Sequence, residues 1–481
     1  MTAVDVLKKY WGYSEFRASQ LEIIESILNK HDTFALLPTG GGKSICFQIP
    51  ALLLPGITIV VSPLISLMKD QVDALVSKNI PATYLASTVT KEEQKRCLKE
   101  LVERKYKILY LSPERLQSKQ FLETVKSLDV SLLVIDEAHC VSVWGHDFRP
   151  EYQAIVSFVS QLATRPIVAA FTATATGNTK QDIVRSLELI EPSIFTASFK
   201  RNISIKIVPS KSRTEQELQL FAYLQAHNSE AGIIYVSTRH HAESLSTQLN
   251  RLAGLLNLGA VGCYHGGLPA EQRQQTQHAF LNNQLQLLVA TTAFGMGIDK
   301  PNIQFVIHYH PSASIENYFQ EIGRAGRGGQ SAEAVMLLFK EDFGIQKALI
   351  EKSNSKNDTS VRKLADFTAF TSSKKCRMVD ILSYFSQQGE SCGICDNCRD
   401  RWSPLQNLLQ IKKAQLDVLR AWRKVTSKQF KIKELFLLQD QQIIYVLLFE
   451  IKKLEDLLHV PGIGKGWLLH WGKALYQSVV Q

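Results

Sequence analysis

The sequence predicts an α/β protein with two tandem domains built on parallel sheets, followed by a cysteine-rich helical region and a small helical C-terminal module. Three observations lead to this prediction. Short apolar runs alternate with polar, helix-like stretches, the whole scheme occurs twice, and four of the eight cysteines cluster between residues 376 and 398. Because 481 residues exceed one ordinary domain, length alone also favours about three domains.

The apolar runs are rich in Val, Ile and Tyr, and each closes on a turn residue. They are TFALLP (33–38), TIVVSP (58–63), KILYLSP (107–113), SLLVIDE (131–137) and IVAAFTAT (167–174), then AGIIYVST (231–238), AVGCYHGG (260–267), LQLLVATT (285–292), FVIHYHP (305–311) and AEAVMLLF (332–339). Strands that alternate with helices imply parallel sheets covered by helices on both faces. We expect the first domain over 1–200 and the second over 201–342, with helical segments over 343–405 and 411–481.

The composition favours a polyanionic partner. The formal net charge is +10, with 45% hydrophobic and 21% charged residues. Nucleic acid is the first candidate for such a basic chain, and an anionic membrane is the second. The start of the chain has no apolar leader, and the most apolar stretch, 51–68, is broken by Pro55, Gly56 and Pro63. We therefore expect an intracellular protein without a membrane span.

The segment LLPTGGGKS (36–44) follows the first predicted strand and should open a helix at Lys43. A glycine-rich turn before a helix N-terminus lets backbone N–H groups surround phosphate oxygens. Lys43 would reach the β- and γ-phosphates of a nucleotide, and Ser44 would coordinate Mg²⁺. The strict P-loop pattern has glycine where Leu37 stands, so a glycine-rich turn with a chance lysine is the alternative. The expected nucleotide contacts here are Thr39, Gly40, Gly41, Gly42, Lys43 and Ser44.

A carboxylate pair completes this half of the nucleotide site. SLLVIDEAH places Asp136 and Glu137 at the end of an apolar strand, where a parallel sheet presents ligands. Asp136 would hold Mg²⁺, and Glu137 would orient or deprotonate the attacking water. An Asp–Glu pair is common by itself, but after GGGKS it forms a Walker A and Walker B pair that predicts ATP hydrolysis.

The second domain offers arginines to the same reaction. QEIGRAGRGG (320–329) contains Gln320, and it places Arg324 and Arg327 three residues apart on a predicted helical turn. Guanidinium groups suit the charge that develops on a transferring phosphoryl group. A solvated basic helix start is the alternative reading of this segment.

The cysteine cluster predicts a structural zinc site. Cys376, Cys392, Cys395 and Cys398 have the spacing C-x15-C-x2-C-x2-C. Four thiolates can close a tetrahedral Zn²⁺ site with no open position. Four free thiols or a redox pair are the weaker readings, because the flanking sequence does not resemble a thioredoxin-like unit.

Ten segments, in order, resemble the motif series of superfamily 2 helicases and of the RecQ family in particular. They are FRASQ (16–20), LLPTGGGKS (36–44), VVSPLISLMKDQV (60–72), LSPERL (111–116), DEAHCVSVWGHDFRPEY (136–152), FTATAT (171–176), GIIYVSTR (232–239), YHGGL (264–268), ATTAFGMGIDKPN (290–302) and QEIGRAGRGG (320–329). The resemblance covers residues 10 to 400 and includes the zinc cluster. It implies two RecA-like domains that close on ATP, open after hydrolysis and move along one DNA strand 3′ to 5′.

The resemblance also assigns roles to single residues. Tyr13, Arg17 and Gln20 match the adenine-recognising motif, in which the ring stacks on the base and the glutamine reads its edge. Asp299 matches a residue near the ribose and phosphates across the cleft.

A second group of residues matches positions that couple the nucleotide to DNA. The group comprises His139, Thr172 and Thr174, together with Trp144, His146, Phe148 and Arg149 in the loop 140–152. The aromatic rings of this loop can stack on unpaired bases, while its polar side chains can carry contact to the ATP site. The alternative is that these aromatic residues only pack, in a loop buried between the two domains.

Some residues depart from the family pattern. Val143 replaces a glutamine, Gly328 an aspartate, and Ala18–Ser19 a Pro–Gly pair, although no phosphate or metal ligand is lost. About 80 residues follow the cysteines, which is short for the winged helix of the family. LRAWRK (419–424) and HVPGIGKGWLLHWG (459–472) instead resemble a shortened HRDC domain with a helix-hairpin-helix turn; a helical packing module is equally open.

The predicted function is that of an ATP-dependent 3′ to 5′ DNA helicase acting at forks or at recombination and repair intermediates. Its expected cofactors are ATP, Mg²⁺ and Zn²⁺, and its partners are single-stranded and duplex DNA, with single-strand-binding and recombination proteins as candidates. The expected location is the cytoplasm, at the nucleoid. The alternative is a DNA-stimulated translocase or remodelling scaffold with little sustained unwinding, and an RNA helicase is a distant third.

Overall fold

The computed structural model describes residues 1–17, 19–38, 40–142, 145, 148–197, 202–295, 300–352, 358–399, 404–448, 451, 453–460 and 462–480. Its strands are β1 Thr33–Leu36, β2 Ile57–Val61, β3 Ala82–Leu85, β4 Ile108–Leu111, β5 Val130–Ile135, β6 Ile167–Thr172, β7 Ser193–Thr196, β8 Ile203–Ser210, β9 Ala231–Tyr235, β10 Val261–Tyr264, β11 Leu287–Ala290, β12 Ile303–His308 and β13 Ala332–Phe339. They form two parallel sheets, ordered β3-β4-β2-β5-β6-β1-β7 and β10-β11-β9-β12-β13-β8.

Helices cover these sheets and form the rest of the chain. The first sheet is accompanied by α1 Ala3–Trp11, α2 Gln20–Leu28, α3 Lys43–Leu53, α4 Ile65–Val76, α5 Lys91–Val102, α6 Lys119–Val125, α7 Ala154–Val159 and α8 Gly177–Ser186. The second is accompanied by α9 Arg213–Ala226, α10 Arg239–Arg251, α11 Ala253–Leu256, α12 Ala270–Leu281 and α13 Ile315–Ile322. The later helices are α14 Phe343–Lys352, α15 Asp358–Ser372, α16 Arg377–Tyr384, α17 Pro404–Phe430, α18 Glu434–Leu437, α19 Asp440–Leu448, α20 Lys465–Trp467 and α21 Lys473–Val480.

The predicted fold class is confirmed. Strands β1, β2, β4 and β11 are buried along their whole length, as their unbroken apolar sequences require when helices cover both faces. No described helix combines the length and the apolarity that crossing a bilayer demands.

The strand order brings three loops of the first sheet together. Strand β6 pairs with β5 on one side and with β1 on the other, with Ala170 opposite Ile135 and Thr172 opposite Leu36. All three strands are parallel, so their carboxyl ends meet at one edge. The glycine-rich loop, the Asp136–Glu137 pair and the threonines after β6 therefore start from neighbouring positions, which is where open α/β sheets bind ligands.

The cysteine region closes an edge of the second sheet. Strand β8 lies at that edge, where unpaired backbone groups are exposed to unwanted pairing. The backbone N–H of Asp396 donates to the Ile205 carbonyl at 3.0 Å, and the Ile207 N–H donates to the Asp396 carboxylate at 3.0 Å. The Ser204 hydroxyl donates to the Ile394 carbonyl at 2.8 Å. The cysteine-bearing turn is thus attached to the second sheet through backbone groups.

The C-terminal helices share a core with the second domain. Leu416 and Leu419 of α17 and Ile443 of α19 are buried in one apolar cluster with α9. Polar contacts reinforce this contact: the Lys413 ammonium lies 2.8 Å from the carboxylate of Glu215 on α9. A helical packing module was one of the two readings that the sequence left open, and the apolar side chains of this module pack onto the second domain.

Basic side chains of α17 serve the same interface. Arg420 donates to the Ser212 hydroxyl at 2.9 Å, and Arg423 donates to the Asp440 carboxylate at 2.7 Å. Asp440 in turn accepts from Thr214 of α9 at 2.8 Å. Both guanidinium groups bond to side chains of the protein itself. Their first role is therefore to attach the C-terminal helices to the second domain.

This shared core predicts that shortening a single buried side chain of α17 destabilises the second domain. Leu419 is 1% exposed, whereas its neighbour Val418 is 50% exposed. Leu419→Ala should lower the free energy of unfolding by about 2–5 kcal/mol, because it opens a cavity against α9. Val418→Ala should change it by less than ~0.5 kcal/mol. Chemical denaturation of the full chain measures both, and equal values for the two variants would show that α17 is only loosely attached.

Candidate nucleotide and zinc sites

The glycine-rich loop has a conformation that only glycine suits. Gly40 and Gly42 have φ of +72° and +78°, in the left-handed region. A Cβ atom on Gly42 would lie 2.2 Å from the Gln20 side-chain nitrogen, so any other residue would displace that side chain. Gly42 caps α3, and Lys43 is its first residue. The loop therefore presents the N-terminus of α3, as phosphate binding requires.

Lys43 and the two carboxylates lie together at the edge of the first sheet. The Lys43 ammonium is 3.3 Å from the Glu137 carboxylate, and these side chains are only 13% and 10% exposed. Burial raises the pKa of the Asp136 carboxyl to about 6, and the charge of Glu137 adds to this shift while Lys43 opposes it. Glu137 adopts a left-handed backbone with φ of +49°, which is strained for this residue. A buried, strained charge cluster is typical of a functional site.

Polar contacts link Glu137 to β6, the strand that follows it. The His139 Nδ1 atom lies 3.4 Å from the Glu137 carboxylate and 3.0 Å from the Thr172 hydroxyl, and His139 is fully buried. The Thr172 hydroxyl also donates to the Thr174 carbonyl at 3.2 Å. The structure thus brings together three of the residues that were predicted to couple the nucleotide to DNA.

The residues matched to adenine recognition line a cavity of about 530 Å³, whose wall also includes Lys43, Asp136 and Glu137. Tyr13 is 54% exposed there, so its ring is available for stacking. Arg17 donates to the Gly40 carbonyl at 2.9 Å, and the Gln20 amide donates to the Gly41 and Gly42 carbonyls at 3.3 Å. Arg17 and Gln20 therefore hold the glycine-rich loop, a contact that the sequence did not predict.

The second domain contributes one of the two predicted arginines to this cavity. Arg327 and Pro301 line it together with Lys43, Asp136 and Glu137. The sequence predicted Arg324 and Arg327 on one helical turn, but α13 ends at Ile322 and both follow it in turns.

Arg324 and Gln320 are not on the cavity wall. Arg324 is buried against Gly295, where a Cβ atom would lie 2.1 Å from its Nη2 atom. Gln320 is a buried residue of α13. Of the three predicted catalytic residues in this segment, the structure brings only Arg327 to the nucleotide cavity.

The loop after the carboxylates is anchored to the first sheet. Arg149 donates from its backbone to the Cys140 carbonyl at 2.9 Å and from its side chain to the Pro63 carbonyl at 3.1 Å. Phe148 is half-buried. Tyr152, which the sequence reading missed, donates to the Asp136 carbonyl at 3.3 Å. Its position in RPEY after the acidic pair was the signal that could have identified it.

Several predicted residues lie outside the part of the chain that the structure describes. They are Thr39, Trp144, His146 and Asp299, and the departures at Ala18 and Val143. Among the described departures, Gly328 donates its N–H to the Pro301 carbonyl at 3.1 Å, and a Cβ atom there would lie 3.1 Å from the same oxygen. Glycine therefore suits this turn, which supports Pro301 at the nucleotide cavity.

The four clustered cysteines form a compact thiolate site. The sulfur atoms of Cys376, Cys392, Cys395 and Cys398 all lie within 4.8 Å of one another. The Cys392 and Cys398 sulfurs are 3.9 Å apart, close to the ~3.8 Å expected between thiolates around a tetrahedral Zn²⁺ with Zn–S bonds of ~2.3 Å. The Arg377 and Cys392 backbone N–H groups donate to the Cys395 and Cys376 sulfurs, which stabilises thiolates. The donor set and its spacing fit zinc.

Comparisons with known proteins agree with this geometry. Residues 17–183 match the DEAD/DEAH box helicase family, 212–329 the helicase conserved C-terminal domain, and 340–399 the RecQ zinc-binding family. The chain is 41% identical to the ATP-dependent DNA helicase RecQ of Bacillus subtilis over 439 residues, covering 90% of this chain and 71% of the relative. It is 39% identical to RecQ of Pasteurella multocida over 483 residues, covering 99% of this chain and 74% of the relative.

Solved structures show the same fold at low identity. The DEAD-box helicase Mss116 bound to single-stranded RNA superposes with a TM-score of 0.61 at 15% identity, covering 99% of this chain and 97% of Mss116. The helicase MrfA bound to DNA superposes with a TM-score of 0.60 at 15% identity, covering 86% of this chain and 57% of MrfA. Together with the matched domains and the curated relatives, the paired sheets and the zinc cluster show that this chain belongs to the RecQ family of ATP-dependent DNA helicases.

Proposed function

We propose that this chain unwinds DNA by moving 3′ to 5′ along one strand, at forks and at recombination or repair intermediates. The observation that carries the proposal is the nucleotide cavity, where Lys43, Asp136 and Glu137 of the first domain face Arg327 of the second. A ligand bound between two domains can draw them together, and its hydrolysis can release them. Repeated closure and opening would move the chain along the strand.

We assign the hydrolytic roles to the residues around that cavity. Bound ATP supplies the phosphoryl group, and Ser44 and Asp136 would hold the Mg²⁺ that accompanies it. Lys43 would leave Glu137 for the β- and γ-phosphates, because phosphate charge is the stronger partner. Glu137 would then be free to accept a proton from the attacking water. Arg327 would stabilise the charge that develops on the phosphoryl group, so turnover would require a closed cleft.

DNA is the substrate that the family relationship supports. The relatives from B. subtilis and P. multocida carry the name of ATP-dependent DNA helicases, and MrfA is bound to DNA in its structure. The net charge of +10 suits a phosphate backbone. We assign coupling to the loop 140–152, since it follows the carboxylates directly and is held to Cys140 and Pro63 by Arg149. A translocase that remodels DNA-bound proteins without sustained unwinding would use the same cleft.

Unwinding should depend on Glu137 and on the polarity of the DNA tail. The unmodified chain should displace a labelled strand from a duplex with a 3′ tail faster than from one with a 5′ tail. Glu137→Gln should bind ATP and DNA but lose at least ~100-fold in turnover, because the water lacks its base. Glu123→Gln, an exposed carboxylate on α6, is the matched control. DNA-stimulated hydrolysis without strand displacement from any tailed, forked or four-way substrate would favour the translocase instead.

Zinc should be required for the attachment of the cysteine region to β8. Purified protein should contain about one zinc per chain. Cys395→Ser should lower zinc content, solubility and DNA binding together, because metal binding is coupled to folding of the region. Cys263→Ser, outside the cluster, is the control. Elemental analysis that finds no metal in folded, active protein would overturn the tetrathiolate site.

A further inference from the structure

One lysine of the zinc region, the cysteine-bearing part of the chain over 343–405, contacts both helicase domains. Lys363 lies on α15, and its ammonium donates to the Gly145 carbonyl at 3.1 Å, in the loop that follows the carboxylates. The same ammonium is 3.1 Å from the carboxylate of Glu316 on α13. The Lys363 and Glu316 side chains are 14% and 5% exposed, so solvent does not screen this contact strongly. Lys363 therefore joins a loop of the first domain to a helix of the second.

On the first-domain side, the contact leads to the hydrolytic residues. Gly145 packs directly on the backbone of His139: a Cβ atom on it would lie 2.2 Å from the His139 carbonyl oxygen. The Gly145 N–H donates to the Ser142 carbonyl at 2.9 Å. His139 is the residue whose ring lies beside the Glu137 carboxylate. A displacement of Gly145 must therefore move, or be resisted by, the backbone next to Glu137.

On the second-domain side, the contact leads to Arg327. Glu316 lies one helical turn before Gln320 on α13, and the turns after that helix place Arg327 at the nucleotide cavity. Burial raises the pKa of Tyr384, on α16, and the neighbouring Glu316 carboxylate adds to this shift, so the Tyr384 hydroxyl lies close to the same carboxylate. Phe319 on α13 and Phe385, just after α16, pack against each other with ring centroids 5.2 Å apart. The zinc-region helices thus hold α13 through an ion pair, a hydroxyl and an aromatic contact.

We propose that Lys363 is a positioning residue that transmits the state of the loop 140–152 to α13, and through it to Arg327. The inference rests on the proposed function, in which DNA acts on that loop. Lys363 touches neither nucleotide nor reacting atoms. Lys363 sets the position of α13 when DNA displaces Gly145, so it governs the factor by which DNA accelerates ATP hydrolysis. The zinc region then acts in coupling as well as in folding.

The test compares ATP hydrolysis with and without saturating oligodeoxythymidylate for four proteins. They are the unmodified chain, Lys363→Met, Lys363→Arg, and Lys352→Met on α14, an exposed lysine of the same region. For Lys363→Met the ratio of DNA-stimulated to basal turnover should fall about tenfold, while zinc content and the melting temperature stay close to those of Lys352→Met. Lys363→Arg retains a cation and should recover most of the ratio. A purely structural lysine would lower stability without changing the ratio.

Glu316→Gln separates coupling from the cost of an unpaired buried carboxylate. This variant keeps the shape of the pair and weakens its attraction, so it should lower the ratio less than Lys363→Met, and the double variant should be no worse than Lys363→Met alone. If Lys363→Met fails to fold, the ratio in Glu316→Gln decides the matter. An unchanged ratio in these variants, beside a well-stimulated unmodified chain, would overturn the inference. An unmodified chain that DNA does not stimulate would instead overturn the proposed function.

Discussion

Charge buried at the carboxyl edge of the first sheet is the constraint on which the rest of the structure depends. Asp136 and Glu137 are adjacent along the chain and largely removed from water, and Lys43 offsets only part of the cost. Burial raises the pKa of the Asp136 carboxyl from an ordinary 3.8 to about 6, so at neutral pH this carboxylate is charged at a cost to the stability of the fold. The surrounding sheet must therefore be stable enough to keep this charge buried. A magnesium–nucleotide complex would relieve this cost, and ligand binding would then be coupled to the shape of the cleft.

The remaining parts of the chain support the second-domain side of the nucleotide cavity. The zinc cluster attaches its turn to β8 through backbone hydrogen bonds, and the helices around it contact α13. The C-terminal helices pack on α9 and complete the core of the second domain. The second domain, the zinc region and the C-terminal helices therefore share continuous packing. At the nucleotide cavity, Arg327 of the second domain and Lys43 of the first line the same space.

Sequence reasoning predicted what local pattern determines. Apolar runs predicted the parallel strands, glycines predicted the turn before Lys43, and cysteine spacing predicted a compact thiolate cluster. It could not predict contacts between distant segments. Nothing near Lys363 indicates that its partner is a glycine carbonyl more than two hundred residues away. In the same way, the spacing of Arg324 and Arg327 suggested equivalent roles, whereas packing against Gly295 takes one of them away from the cavity.

The cost of the buried charge is tested most directly by unfolding the zinc-loaded chain, free of magnesium and nucleotide, beside Asp136→Asn. A raised pKa means that the folded chain binds the Asp136 proton more tightly than the unfolded chain, so stability is lost as pH rises from about 4 to about 6. At pH 8 the asparagine variant should be more stable than the unmodified chain, and near pH 4 this difference should shrink towards zero. An asparagine variant that is less stable at pH 8 would show that the carboxylate supports the fold and would contradict the account.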